Sequence, residues 1–103
     1  MISIRIAGVE RKLEEASESW INQEINRRRA DGQVVCVQVT IHTSELNMVL
    51  STPTCASGLG GGRPPTRHER EVFDLWDQRG LNRHDFTSGG VVAFIKQVAR
   101  LAA

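Results

Sequence analysis

The segment Val34–Thr52, VVCVQVTIHTSELNMVLST, alternates between apolar and small polar side chains over most of its length. Val35, Val37, Val39 and Ile41 alternate with Cys36, Gln38, Thr40 and His42. This period of two, rich in β-branched residues, marks a half-buried strand. Beyond a polar break, Leu46, Met48 and Leu50 alternate with Asn47, Val49 and Ser51. A turn at Thr43-Ser44, or a four-residue loop from His42 to Glu45, would fold the two halves into a hairpin. Ile41 would then face Leu46, Val39 would face Met48 and Val37 would face Leu50. Both apolar sets share one face, and a one-residue slip would send one of them to solvent. Pro53 cannot donate to the ladder and ends the second strand.

A hairpin alone is marginal in water and needs further strands or a helix against it. The chain upstream supplies both. Ile2, Ile4 and Ile6 alternate with Ser3 and Arg5, a first strand ended by Ala7-Gly8. From Val9 to about Ala30 the pattern is helical, with Leu13, Ala16, Trp20, Ile21 and Ile25 forming a stripe. Glutamates fill its first half and Arg27-Arg28-Arg29 its last turn, complementing the helix dipole. Gly32 stands where a C-cap glycine belongs.

Downstream, Thr54–Pro65 (TCASGLGGGRPP) has the glycines and prolines of a flexible loop. Thr66 and Glu69 then form a capping-box pattern. The helix they open carries Val72, Phe73, Leu75 and Trp76 and stops at Gly80. A third helix, capped by Thr87 or Ser88, carries Val91, Phe94, Ile95, Val98 and Leu101. The expected fold is α+β: a single domain over 1–103 in the order β-α-β-β-α-α. Its three-stranded mixed or antiparallel sheet is covered on one face by helices. The long first helix reverses the chain once, which would set the first strand parallel to the second and antiparallel to the third.

With 103 residues the chain can bury roughly 65% of its unfolded surface, enough for one modest core. Thirteen basic and twelve acidic side chains leave a net charge of +1, so no overall field draws it to nucleic acid or anionic lipid. The start, MISIRIAG, lacks the basic region and apolar core of a signal peptide. The longest apolar run, Val34–Val37, is far too short to span a bilayer. Two cysteines make no disulfide framework. Free thiols, cytoplasmic residence and no membrane partner are the expectation.

Chemistry-bearing constellations are sparse. Cys36, His42, Cys55 and His68 are zinc-ligand types, but Cys36 and His42 lie about 20 Å apart along a strand, and no short ligand spacing occurs. Cys55 with His68 or His84 lacks any nucleophile signature. No catalytic residue, metal or cofactor is expected, and the reading leans away from an enzyme. Two glycine-rich segments precede helices, and backbone N–H groups at such starts attract anions. Gly60, Gly61, Gly62, Arg63 and Arg67 at one, with Ser88, Gly89 and Gly90 at the other, are candidate anion- or nucleotide-binding residues. The competing role is conformational: a flexible loop, and glycines that let the last helix pack closely. The Arg27–Arg29 run could touch phosphates, but no aromatic stacking platform accompanies it, so weak nucleic-acid binding ranks third.

The outer hairpin face, with Val34, Cys36, Gln38, Thr40 and Val49, is small, weakly polar and almost uncharged, whereas solvated faces carry more charge. That contrast makes it the candidate interface. The sequence therefore points to a small non-enzymatic protein–protein interaction or regulatory domain, whose partner is another protein or a second copy.

Overall fold

The computed structural model describes residues 1–55 and 64–101. The chain is α+β, and its described residues form four strands and three α-helices: β1 Ile2–Ile6, β2 Val9–Lys12, α1 Glu18–Ala30, β3 Val37–His42, β4 Asn47–Ser51, α2 Arg67–Gln78 and α3 Ser88–Leu101. The sheet is antiparallel throughout, in the order β2-β1-β3-β4.

The fourth strand, β2, corrects the expected three. Ala7 and Gly8 both adopt positive φ, 49° and 87°, as a two-residue hairpin turn of the primed type requires. Residues 9–12 therefore fold back on β1, where a helix was expected to begin. A short 3-10 turn, Leu13–Glu15, follows, and α1 starts only at Glu18, with the Ser17 hydroxyl accepting from the Trp20 N–H. The hairpin and α1 each reverse the chain, so β1 runs antiparallel to β3, not parallel.

The central hairpin keeps the expected face but not the expected register. Ile41 pairs with Met48 and Val39 with Leu50. Thr43 N–H donates to the Leu46 carbonyl at 2.8 Å, and Thr43 Oγ1 accepts from Leu46 N–H at 3.0 Å. These bonds centre the turn on Ser44-Glu45, one position later than anticipated. Moving the turn by one shifts the pairing by two, which preserves the side-chain faces.

Ile2, Ile4, Ile6, Val37, Val39, Ile41, Met48 and Leu50 point from the sheet into one core. The helices cover that face: α1 lies over β1, α2 against β4, and α3 packs on both helices. Trp76 and Phe94 meet edge to face with centroids 5.0 Å apart at its centre. Phe73, expected in the core, is 38% exposed, whereas Phe86 is buried. Arg29 explains the latter, stacking its guanidinium 4.3 Å over the Phe86 ring and donating to the Phe86 carbonyl.

Helix ends follow the sequence closely. Gly32 and Gly80 both take positive φ, and paired carbonyl bonds close α1 and α2 behind them. Thr66 and Glu69 form the reciprocal capping box of α2. The second Glu69 carboxylate oxygen accepts from the Asn47 N–H at 3.0 Å, which ties the helix start to β4.

The free thiols expected of Cys36 and Cys55 are replaced by a disulfide joining the two. It pins the chain beyond β4 to the start of β3. Disulfides persist chiefly in oxidising compartments, so the thiol argument for cytoplasmic residence falls away. Most of the loop expected at 54–65 lies outside the described residues. No helix among the described residues is long and apolar enough to cross a membrane.

Candidate interaction surface

Among the described residues, all three helices lie on one face of the sheet and no element covers the other. Strand alternation sends Ser3, Arg5, Glu10, Lys12, Gln38, Thr40, Asn47, Val49 and Ser51 to that bare side. It divides into two halves of different chemistry. On β1 and β2, Arg5 pairs with Glu10 at 3.7 Å, Ser3 Oγ donates to Glu10 at 3.2 Å, and Lys12 adds a further charge. On β3 and β4, Gln38, Thr40, Val49 and Ser51 carry no formal charge, and His42, paired with Asn47, stands at the end of the strip as its one titratable side chain. There Gln38 donates to Ser51 Oγ at 3.2 Å, so the polar groups partly satisfy each other. Val49 is 56% exposed, and Val34, just before β3, is 77% exposed. The outer hairpin face, expected to be almost uncharged, is therefore only half of this sheet face. The unforeseen β2 brings the charges to the other.

Of the candidate interface residues, Gln38, Thr40 and Val49 lie on this face by register, and Val34 and Cys36 precede β3. Cys36 contributes as half of the disulfide rather than as a thiol. The same bond removes Cys55 as a nucleophile in this state. His68 lies elsewhere, 3.8 Å from Glu45. Among the described residues, no group of three or more His, Cys, Asp or Glu is placed to hold a metal ion.

The described candidate anion residues, Arg67 and Ser88–Gly90, lie at two separate helix starts. Gly60, Gly61, Gly62 and Arg63 lie outside the described residues. Arg67 opens α2, at the end where Glu69 meets Asn47. Ser88, Gly89 and Gly90 open α3, against the other end of α2: a Cβ at Gly90 would lie 2.6 Å from the Arg79 carbonyl. The twelve residues of α2 separate the two helix starts by about 18 Å. At the second start, Gly90 N–H already donates to Thr87 Oγ1 at 3.0 Å, and Ser88 Oγ accepts from Asn26 at 3.3 Å. The arginine run is likewise engaged: Arg27 and Arg28 bind Glu24 at 3.3 and 3.0 Å, and Arg29 holds Phe86.

Sequence reasoning missed one feature, a groove between β4 and α2. Phe73 and Trp76 of α2 line it with Leu50 and Pro53. The helical stripe placed both aromatics in the core, and nothing in the periodicity separates the half-exposed Phe73 from the buried Trp76. Compared with known proteins, the chain matches no family model, no curated protein and no solved structure.

Proposed function

We propose that this chain is a non-enzymatic domain that works through protein–protein contact, using the uncovered β3–β4 half of its sheet. One observation carries the reading. The helices sit on a single face, and the half of the opposite face built by β3 and β4 presents Val34, Val49, Thr40 and Gln38 without a formal charge. Water-facing sheet surfaces are normally rich in Lys, Glu and Arg, as β1 and β2 are here. An exposed, weakly polar strip beside a charged one has the layout of an interface core with a polar rim.

A second copy of the chain is the simplest occupant, because a two-fold axis lets one self-complementary patch meet itself. Sedimentation over a concentration series tests this, with the wild type beside Thr40→Lys. Thr40 is half-buried at the middle of the strip, and a lysine there sets like charges against each other across a two-fold contact. The expected result is a mass that rises towards the dimer's in the wild type alone. A wild type that stays monomeric at every concentration removes self-association, and identical behaviour of both chains removes this face.

A further inference from the structure

We infer that the outward edge of β4 at Val49 and Ser51, with the groove beside it, accepts an extended peptide segment of a partner protein as a further strand. The inference shares with the proposed function the premise that the domain binds polypeptide, but it uses the edge of the sheet and not its face.

The β3–β4 ladder fixes which backbone groups are free. Thr52 N–H donates to the Val37 carbonyl and Thr43 N–H to the Leu46 carbonyl. In an antiparallel pair the bonded residues alternate, so Met48 and Leu50 direct their N–H and C=O towards β3. Asn47, Val49 and Ser51 direct theirs away from the sheet. Glu69 takes the Asn47 N–H. Among the described residues no hydrogen-bond partner meets the backbone of Val49 or Ser51, which offers two donors and two acceptors at the spacing of a strand.

The two sheet edges are finished differently. The β2 edge carries Glu10, Arg11 and Lys12 in four residues, the usual protection against a stray strand. The β4 edge, Asn47–Ser51, carries no charge. Beside it lies a groove of about 410 Å³ lined by Leu50, Pro53, Phe73, Trp76 and Asn82, among others, with no charged side chain among its described lining residues. Half-exposed Phe73 forms its outer wall and buried Trp76 its floor. A strand added at β4 would place alternate side chains over this groove, so backbone bonds would hold the segment and one apolar side chain would select it.

The groove also separates a peptide from a second copy. Met48 and Leu50, the inward side chains of β4, are 7% and 2% exposed within their own core. The β4 strand of another copy therefore has no apolar side chain to spare for the groove. A segment free on both faces has one.

The test is selection from a phage-displayed random peptide library on the full chain. A selected synthetic peptide is then titrated against the wild type, Val49→Thr, Val49→Pro, Phe73→Asp and Thr40→Lys. Val49→Pro deletes an outward N–H without touching the β3 ladder, a position where an edge strand tolerates proline. Val49→Thr keeps that donor. The expected peptides carry a large apolar residue in an alternating pattern. Affinity should fall by about tenfold or more in Val49→Pro, the scale of one unmade backbone bond, and also in Phe73→Asp. It should hold in Val49→Thr and Thr40→Lys, and the bound peptide should slow amide exchange at Val49 and Ser51. Loss in Thr40→Lys alone would return the binding to the sheet face and overturn the edge. Failure to enrich any peptide, affinity unchanged in Val49→Pro, or self-association that Val49→Pro abolishes without peptide binding would each overturn the inference too. The last would name a second copy as the occupant.

Discussion

A methyl group added at Gly90 would lie 2.6 Å from the Arg79 carbonyl oxygen, inside any tolerable contact, whereas at Gly89 the nearest atom is Thr87 Oγ1 at 3.9 Å. Both glycines sit in the first turn of α3, where alanine is intrinsically the better helix former. Gly89→Ala is expected to stabilise by about 0.5–1 kcal/mol, and Gly90→Ala to destabilise by about 1–3 kcal/mol as α3 is pushed off α2. Urea unfolding midpoints read both. A stabilising Gly90→Ala would mean that the α2–α3 contact is looser than drawn. The sequence suggested that these glycines serve close packing, but it gave no means of telling which one touches backbone, because the Arg79 carbonyl arrives from another helix. Glu69 has the same character. Its place in the capping box was legible in Thr66-x-x-Glu69, yet its second oxygen holds the Asn47 N–H, a partner twenty-two residues away that no local pattern reveals. Thr66→Ala should therefore cost about 1 kcal/mol, the scale of one lost cap. Glu69→Ala, which removes the carboxylate that accepts from both the Thr66 and the Asn47 N–H, should cost about 2–3 kcal/mol. Equal losses in chemical denaturation would show that the Asn47 bond contributes nothing.

The same division between local and distant causes governs the elements. α2 and α3 were legible because caps, glycine stops and apolar spacing lie within each helix. β2 was not. All four of its residues are exposed, so burial leaves no period-two mark on them, and its glutamate and basic residues blend into the acidic start expected of a helix. The one trace is Ala7-Gly8 after an alternating strand, and alanine is a rare choice for a left-handed turn position. The disulfide escaped for a related reason. Cys36 and Cys55 are nineteen residues apart, and only the return of the chain after β4 brings them together. Closing a loop of that length is expected to contribute about 3 kcal/mol through the unfolded state. The hairpin lies within the loop, so any residual pairing in the unfolded chain would lower the figure. Reduction with dithiothreitol should shift the urea midpoint down by a corresponding amount, and Cys36→Ser should match the reduced wild type. An unchanged midpoint, or free thiols by titration in the untreated protein, would show that the bond does not form.

For the molecule as a whole, hydrophobic alternation was enough to name the buried face of the hairpin and hence the bare one. The same alternation cannot say which strands are neighbours. That depended on the number of chain reversals, and one unseen hairpin turned an expected parallel pairing into an antiparallel one. The order β2-β1-β3-β4 makes β3 an interior strand and β4 an edge, and this places the open backbone groups next to Phe73. Native-state amide exchange tests that arrangement over the entire sheet at once. Amides of β1 and β3, central and covered by helices, should open only with global unfolding, while those at the exposed β2 edge exchange early. Within β4 the rates should alternate. Met48 and Leu50 donate into the β3 ladder and should exchange slowly, and Val49 and Ser51 face outward and should exchange quickly. Asn47, held by Glu69, should fall on the slow side although it too faces outward. That exception distinguishes an edge read residue by residue from a strand that merely frays, because fraying would free Asn47 and Met48 together. Uniform protection along β4 would mean that something already covers the edge, and the peptide site drawn there would have to be abandoned.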